Sequence, residues 1–295
     1  MLLPTKKSQH LRITVFGDIT GVAGRETVKE AFVIAKEKWD TDLIIANGEN
    51  ASHGFGITPK HIKELHSYGL DLMTLGNHTW DKHVLRHKIN SFPFVARPIN
   101  MPREAPGSGV ATIETKFGTF AIINALGRLF MNPSDCPYHL IYDKIKELKQ
   151  KHNIKMIAID LHAEATAEKL IMGRFLDGKV SIVWGTHTHV QTADEVILPK
   201  GTGYLTDLGM TGTENSIIGF EINAALKKTI YGEPFRNQVE NKGPRITTGL
   251  IADIDPVTGK TVFITRFKER FEAIEDLIED PNKTSNYTSE EQDDK

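Results

Sequence analysis

The chain has 295 residues, of which 39% are hydrophobic and 25% are charged, and its formal net charge at pH 7 is −2. This composition is typical of a globular protein with a sizeable core, and the near-neutral charge argues against a general duplex-nucleic-acid binder. The single cysteine, Cys136, excludes an internal disulfide framework. The sequence also has neither a signal-peptide core nor an apolar stretch of roughly 18 residues. Together these features predict a cytoplasmic protein outside any membrane.

The first half of the chain alternates short apolar runs with longer amphipathic stretches, which is the pattern of an α/β protein. The predicted elements are a strand at 12–16, a helix at 25–38 after a loop at 17–24, a strand at 43–46, a helix at 59–68, a strand at 71–75 and a helix at 82–89. Thr58 is the expected N-cap of the second helix, with Pro59 at its first position. Residues 92–109, rich in Pro and Gly, are predicted to form a long surface connection. The histidines on these helices are expected to be solvated: 61, 66, 83 and 87.

The second half begins with a predicted β-hairpin, 110–114 and 119–124. Further elements are a helix at 142–151, a strand at 155–160, a helix at 164–176, and strands at 180–184, 196–198, 203–206, 247–254 and 261–266. We predict a single domain over residues 12–271, because candidate ligands come from both halves of the chain. Residues 1–11 form an N-terminal extension, and residues 272–295 form a polar acidic tail that is expected to be disordered from about residue 282.

Polar side chains follow five of the predicted strands at the point where each strand ends. They are Asp18; Glu49 and Asn50; Asn77 and His78; His162; and His187 and His189. In open α/β sheets, ligands bind at the carboxyl ends of the strands. Each residue alone fits a turn, a cap or a core histidine, but five strands with the same feature predict a metal centre. Oxygen and imidazole ligands without a thiolate suit Fe, Mn, Zn or Co.

A carboxylate such as Glu49 can bridge two cations, as two-metal hydrolases require. Such a pair lowers the pKa of bound water enough to make a nucleophile at neutral pH. It also neutralises charge on a phosphoryl group during in-line attack. The strand-end residues therefore favour a hydrolase that acts on a phosphate ester.

Six blocks between Ile13 and Arg266 occur in an order that is typical of one family. They are Gly17-Asp18-Ile19 with Gly24-Arg25, Asn47-Gly48-Glu49-Asn50, Gly76-Asn77-His78-Thr79-Trp80-Asp81, Asp160-Leu161-His162-Ala163-Glu164-Ala165-Thr166, Gly185-Thr186-His187-Thr188-His189 and Thr206-Asp207-Leu208-Gly209-Met210-Thr211-Gly212. On these blocks the chain resembles the calcineurin-like metallophosphoesterases, and within them the YmdB-like phosphodiesterases of bacteria. The resemblance implies an α/β fold built as a four-layer α-β-β-α sandwich, with two central mixed sheets flanked by helices.

Two departures from the general superfamily pattern point to this branch. Asp18-Ile19-Thr20 stands where most members carry Asp-x-His, and Gly48-Glu49-Asn50 stands where most carry Gly-Asp-x-x-Asp. The resemblance implies that Glu49 bridges two metals and that Asn50 supplies the ligand lost at the first of them. The implied ligands are Asp18, Glu49, Asn50 and His189 for metal one, and Glu49, Asn77, His162 and His187 for metal two. Fe or Mn is favoured, with Zn or Co as alternatives.

The resemblance also assigns His78 as the proton donor to the leaving oxygen. Orientation of Asp18 or of a water by this histidine stays open as a second role. Arg25 is expected to be a loop-closing surface arginine, with contact to a phosphate as the alternative. Glu164 and Glu168 are expected to be structural acids at a helix start. Asp207 is expected either to form a simple turn or to shape the substrate rim.

The implied activity is hydrolysis of cyclic nucleotides, 2′,3′-cyclic nucleotides above all, by attack of a metal-bridging hydroxide. One alternative is a phosphomonoesterase or nuclease on the same metal centre, and another is a nucleotide-sensing regulatory protein with little turnover. The expected partner is a small-molecule phosphodiester or cyclic nucleotide, with neither duplex nucleic acid nor a membrane involved. The Arg128–Pro137 loop is either a lid or the contact of a homo-oligomer.

Overall fold

The computed structural model describes residues 3–232 and 238–274. Among these residues the strands are β1 (Leu11–Phe16), β2 (Asp18–Ile19), β3 (Leu43–Asn47), β4 (Leu72–Thr74), β5 (Val95–Ala96), β6 (Val110–Thr115), β7 (Gly118–Leu126), β8 (Met156–His162), β9 (Ile182–Thr186), β10 (Val196–Ile197), β11 (Gly203–Leu205), β12 (Met210–Thr213), β13 (Arg245–Asp255) and β14 (Lys260–Phe271). The α-helices are α1 (Gly21–Glu37), α2 (Pro59–Ser67), α3 (His83–Lys88), α4 (Pro137–His152), α5 (Thr166–Leu176) and α6 (Ile222–Tyr231). None of these helices is long and apolar enough to cross a membrane.

The strands form two mixed sheets. The first sheet has the order β2-β12-β13-β1-β3-β4-β5, with β14 also paired to β13. Within it, β1, β3, β4 and β5 run parallel, whereas β13 is antiparallel to β1. The second sheet has the order β10-β11-β9-β8-β7-β6, with β7, β8, β9 and β11 parallel. Each sheet therefore presents the carboxyl ends of several parallel strands along one edge.

The alternation of side chains along β7 shows how the layers stack. Phe120 and Ile122 belong to an apolar cluster shared by the two sheets, which also contains Ile13 and Ile45 of the first sheet. Their neighbours Ala121 and Ile123 belong to a cluster that includes residues of α4 and α5. Successive side chains of a strand point to opposite faces, so each face of the second sheet is buried against a different layer.

A third apolar cluster covers the outer face of the first sheet. It joins Phe16 and Ile44 of the sheet to Phe32 of α1 and Leu65 of α2. Burial of one such side chain stabilises the fold by roughly 1.5–3 kcal/mol. The result is the predicted four-layer α-β-β-α sandwich with two central mixed sheets, and this prediction is confirmed.

Helix α2 begins as predicted. The side chain of Thr58 accepts a hydrogen bond from the backbone N–H of His61, and Pro59 occupies the first helical position. The hairpin of β6 and β7 is also confirmed, with Thr115 paired to Gly118 across the turn. These predictions succeed because the signals that define a helix cap and a hairpin are local.

Several predictions were wrong. Helix α1 begins at Gly21 rather than near Arg25, so the loop after β1 is shorter than expected. Residues 92–109 are not simply a surface connection, because they contain the buried strand β5 and the buried side chains of Arg97 and Asn100. Strands β2 and β12 and helix α6 were not predicted.

The histidines on the helices divide into two groups. His66, His83 and His87 are exposed as expected. His61 is buried, against expectation, because it lies on the inner face of α2 and hydrogen-bonds through Nδ1 to Oγ of Ser52 at 2.6 Å. The predicted disordered tail from about residue 282 lies outside the described residues.

Candidate metal centre

The strand-end residues of both sheets meet at one place. Asp18 follows β1, Glu49 and Asn50 follow β3, and Asn77 and His78 follow β4, all in the first sheet. His162 ends β8, and His187 and His189 follow β9, in the second sheet. Contacts between residues of the two sheets join the two groups. For example, the backbone N–H of His187 donates a hydrogen bond to Oδ2 of Asp18 at 3.0 Å.

Three of these side chains converge on one ring nitrogen of a fourth. Nε2 of His162 lies 2.9 Å from Oε1 of Glu49, 2.9 Å from Oδ1 of Asn77 and 3.0 Å from Nδ1 of His187. Ligand atoms of Glu49, His162 and His187 all lie within 4.8 Å of one another. This is the set that the family resemblance assigns to metal two.

The remaining ligand candidates form an adjoining set. Nε2 of His189 lies 3.2 Å from Oδ2 of Asp18 and 3.1 Å from Nδ2 of Asn50. The same Asn50 nitrogen is 3.4 Å from Oε1 of Glu49. Glu49 therefore contacts a member of each set, where a bridging carboxylate is expected.

Two buried oxygen atoms in this adjoining set have no hydrogen-bond partner among the described residues. They are Oδ1 of Asp18 and Oδ1 of Asn50. A buried polar atom without a partner costs about 1–3 kcal/mol. A divalent cation would satisfy both oxygens, and the donor set of carboxylate, amide and imidazole suits such an ion. The residues present therefore fit a divalent cation.

Each of the three histidines has one ring nitrogen held by a neighbour, which leaves the other nitrogen available to a metal. Oγ1 of Thr186 donates to Oδ1 of Asp160 at 2.7 Å, so it accepts from Nδ1 of His162 at 2.9 Å and leaves Nε2 as the ligand atom. Nδ1 of His189 donates to the carbonyl of Ile218 at 2.8 Å, which again leaves Nε2.

The third histidine uses the opposite nitrogen. Nε2 of His187 faces Oε2 of Glu164 at 3.2 Å, so its Nδ1 is the atom that faces the centre. Neighbours of this kind fix the tautomer and orientation of metal-binding histidines. From the sequence, Glu164 was expected to be a structural acid at a helix start. Its contact with His187 was not predicted, because it joins residues that follow different strands.

The electrostatics of the centre favour an ionised Glu49. Burial alone would raise its pKa, but the facing His162 and the backbone N–H of His78 outweigh burial and lower the pKa to about 2. The contact with Glu49 also changes the pKa of His162. Burial alone would lower this pKa, but Glu49 and Asp18 raise it to about 9. A metal ligand must be deprotonated, so a cation held by His162 would release a proton at neutral pH.

Gly76 makes room for the ligand set around His162. A Cβ atom at this position would overlap Oε2 of Glu49 and would lie 2.5 Å from Nε2 of His162. The backbone N–H of His78, two residues further on, donates to Oε2 of Glu49 at 3.0 Å. The Gly76-Asn77-His78 segment is thus packed directly against the Glu49 carboxylate, which explains a glycine at that position.

His78 lies beside the two sets and contacts the solvent. Its side chain is 27% exposed, and its Nδ1 hydrogen-bonds to Oδ2 of Asp81 at 2.7 Å. Its ring meets that of Phe55 edge-on. Among the described residues His78 forms its hydrogen bonds with Glu49 and Asp81 rather than with Asp18, and orientation of a water by His78 stays open.

Arg25 and Glu168, two charged residues that the sequence analysis considered, have structural contacts. Arg25 was expected on the surface but is buried; its guanidinium donates to the carbonyl of Ala51, next to Asn50, and faces Glu64. Glu168 accepts hydrogen bonds from the backbone N–H groups of Arg128 and Leu129. It therefore fixes the start of the Arg128–Pro137 loop, as a structural acid would.

The four-layer fold and the strand-end side chains define a protein of the metallophosphoesterase type. The sequence model of the YmdB-like protein family matches residues 14–267, and the chain belongs to this family. It is 43% identical over 256 residues to 2′,3′-cyclic-nucleotide 2′-phosphodiesterase of Bacillus subtilis, with 87% of this chain and 96% of that protein covered.

Two solved structures show the same similarity. A hypothetical protein from Thermus thermophilus superposes with a TM-score of 0.82 at 35% identity, over 88% of this chain and 99% of that one. A novel phosphatase from Mycoplasma pneumoniae superposes with a TM-score of 0.83 at 29% identity, over 90% of this chain and 95% of that one. The similarity therefore extends over nearly the whole of each relative.

Proposed function

We propose that this protein is a dinuclear metal-dependent phosphodiesterase that hydrolyses cyclic nucleotides, with 2′,3′-cyclic nucleotides as preferred substrates. The observation that carries the proposal is the convergence of seven strand-end side chains into two adjoining sets linked by Glu49. The name of the Bacillus subtilis relative supports the substrate class and indicates that the bond to the 2′ oxygen is the one that breaks.

The residues that would hold the metals are those of the two sets. Asp18, Glu49, Asn50 and His189 would hold the first metal, and Glu49, Asn77, His162 and His187 would hold the second. Bound there, two divalent cations supply the charge that activates water and neutralises the phosphate oxygens. The donor atoms favour Fe or Mn, with Zn or Co as alternatives.

His78 would protonate the departing ribose oxygen. When its ring carries both protons, Nδ1–H donates to Asp81 and Nε2–H remains for the substrate. The hydrogen bond to the Asp81 carboxylate fixes the orientation of the ring. Proton transfer of this kind contributes typically 10²–10⁴-fold to a rate. The backbone N–H of His78 donates to Glu49, and this hydrogen bond holds the proton donor close to the proposed metal ligands.

A diester fits the charge of the site better than a monoester does. Asp18 and Glu49 are the two carboxylates within the ligand sets, so two divalent cations and one hydroxide leave about one net positive charge. Glu164, which faces His187, adds a further negative group at the edge of the centre. A singly charged phosphodiester is therefore favoured over a doubly charged phosphomonoester.

The test is a substrate panel on one preparation. The protein is reconstituted with Mn or Fe, its metal content is measured, and rates are compared for 2′,3′-cyclic AMP, bis-p-nitrophenyl phosphate, 3′-AMP and single-stranded RNA. We expect turnover of both diesters and slow turnover of the monoester. Faster hydrolysis of 3′-AMP would support the phosphomonoesterase alternative, and faster cleavage of RNA would support a nuclease.

A nucleotide-sensing protein with little turnover would bind the cyclic nucleotide tightly in the same preparation without hydrolysing it. The side chains of His78 and of both ligand sets are in place, and this favours the enzyme. A cytoplasmic location stays a prediction. The same holds for a homo-oligomer formed through the Arg128–Pro137 loop, in which Phe130 is 89% exposed.

A further inference from the structure

Two aromatic rings lie beside the proposed proton donor. The ring of Phe55 meets the imidazole of His78 edge-on, with ring centres 5.1 Å apart and planes at 72°. The ring of Phe220 stacks on Phe55, with centres 5.3 Å apart and planes at 24°. Both side chains are partly exposed, and neither belongs to the three apolar clusters of the fold. We refer to Phe55 and Phe220 together as the aromatic rim.

The aromatic rim is held rigidly by the backbone around it. Ile217 and Phe220 exchange two backbone hydrogen bonds of 2.9 Å, and Phe220 also bridges to Val239. Gly54, next to Phe55, has a φ of +80°, and a Cβ atom there would lie 2.5 Å from Val239 and 3.3 Å from the ring of Phe220. A ligand that stacks on this rim would therefore meet a surface that is already ordered, which reduces the entropic cost of binding.

The rim continues toward the ligand set that contains Asp18, Asn50 and His189. Ile218 is 43% exposed, and its carbonyl is the group that accepts from Nδ1 of His189. One short segment, 217–220, thus contributes the carbonyl that holds His189 and the aromatic ring that stacks on Phe55 beside His78. An apolar planar group attached to a phosphodiester would match this arrangement.

We propose that Phe55 and Phe220 form the stacking surface for the nucleobase of the substrate, an inference that rests on the proposed function. In a 2′,3′-cyclic nucleotide, the carbon that carries the 2′ oxygen is bonded directly to the carbon that carries the base. A histidine that protonates the 2′ oxygen therefore has the base as its close neighbour. Phe55 is the aromatic side chain in contact with that histidine.

Stacking on an aromatic ring recognises the π-face that all bases share, so the rim accepts every base. Purines have the larger face, and we expect them to bind more tightly than pyrimidines. Loss of one stacking ring typically costs a factor on the order of ten to a hundred in affinity. This loss should appear in KM, because the base does not take part in bond breaking.

The experiment compares two substrates that share the reacting ring, 2′,3′-cyclic AMP and ribose 2′,3′-cyclic phosphate, which has no base. Phe55→Leu, Phe55→Trp and Phe220→Ala are measured in the Mn-loaded enzyme, with thermal unfolding as a check on folding. Phe175→Ala is the matched control, since that ring lies in the last turn of α5 against Tyr138. The Leu and Ala variants should raise KM for the nucleotide about ten times more than KM for the baseless substrate. Phe55→Trp should keep the wild-type preference, and the control should match the wild type on both substrates.

Binding without turnover gives a second readout. A 3′-phosphate of 2-aminopurine riboside, whose fluorescence is quenched by stacking, is titrated into the protein without added metal. Quenching in the wild type and in Phe55→Trp, but not in Phe55→Leu, is the expected result. Equal losses on both substrates in Phe55→Leu, or equal quenching in all variants, would overturn the inference while leaving the proposed function intact. Failure of the wild type to hydrolyse either substrate would instead count against the proposed function.

Discussion

Lys169 and Asp207 form a buried ion pair that contacts the 187–189 segment of the candidate metal centre. Nζ of Lys169 lies 2.6 Å from Oδ2 of Asp207, and each side chain is only 2% exposed. The same carboxylate oxygen accepts from Oγ1 of Thr188 at 2.8 Å and from its backbone N–H at 3.3 Å. The residues on either side of Thr188 are His187 and His189, whose φ angles are +99° and +63°. Such angles cost a non-glycine residue about 1–3 kcal/mol, so this contact holds a strained segment in place.

Asp207→Asn should weaken both stability and metal binding, because it leaves Lys169 charged, buried and unpaired. We expect the free energy of unfolding to fall by about 3 kcal/mol. Thr188→Val keeps the ion pair and removes the hydrogen bond from Oγ1 to Asp207 and a long one from the backbone of Val190, so it should cost about 1 kcal/mol. Urea unfolding and metal analysis measure the two effects. Unchanged metal content in both variants would show that Asp207 does not position the histidines.

Gly76→Ala should remove metal from a protein that still folds. The added Cβ would overlap the Glu49 carboxylate and the ring of His162, whereas Gly76 has no positive φ that alanine would resist. Metal content per chain is the measurement, together with circular dichroism. The matched control is Gly212→Ala, whose Cβ would meet only Thr20 at an ordinary 3.5 Å. If both variants retain the same metal content, the close packing at Gly76 is not required.

His78→Gln should slow hydrolysis according to the leaving group. A ribose oxygen needs a proton to depart, so kcat for 2′,3′-cyclic AMP should fall by roughly 10²–10⁴-fold. Nitrophenolate leaves without a proton, so bis-p-nitrophenyl phosphate should lose far less. Metal content should stay at the wild-type level, because His78 belongs to neither ligand set. Equal losses on the two diesters would exclude His78 as the proton donor.

His61 should make the protein less stable in mild acid. Burial first, and then the positive charge of Arg25, lower the pKa of His61 from 6.5 to about 3. The unfolded chain therefore takes up a proton that the folded protein excludes. This contribution to stability is complete above pH 6.5 and is lost as the pH falls toward 3, at up to about 1.4 kcal/mol per pH unit.

The variant His61→Gln should reduce the slope of stability against pH between about pH 4 and 6.5. Urea unfolding at several pH values measures this slope. His87→Gln is the control, because His87 is exposed on α3 and should keep the wild-type slope. An identical slope in His61→Gln and the wild type would mean that His61 is not the group that titrates.

The sequence was sufficient for those parts of the site that depend on strand ends. The eight strand-end candidates could be found because parallel strands end at a common edge, and each strand carried a clear apolar run. The grouping into two sets came from family resemblance rather than from residue spacing. The close contacts on which it depends, such as that between Asp18 and His187, join positions 169 residues apart.

The positioning contacts could not be predicted for the same reason. Nothing local to Glu164 indicates that it faces His187, and nothing local to Asp207 indicates a pair with Lys169. The burial of His61 could not be predicted for a similar reason. Its position on the inner face of α2 depends on the packing of that helix against the rest of the fold, and an isolated polar residue gives no sign of this.

Replacement of Glu49, the residue common to both ligand sets, tests the account most directly. Metal content and the rate of 2′,3′-cyclic AMP hydrolysis are measured together for wild type and Glu49→Gln, each reconstituted with Mn and each also treated with a chelator. We predict two metal equivalents per wild-type chain and turnover that the chelator abolishes. In Glu49→Gln, the metal content and the turnover should both be lost, because the amide cannot bridge two cations. Equal turnover in the variant, or full activity of the chelated wild type, would contradict the proposed metal centre.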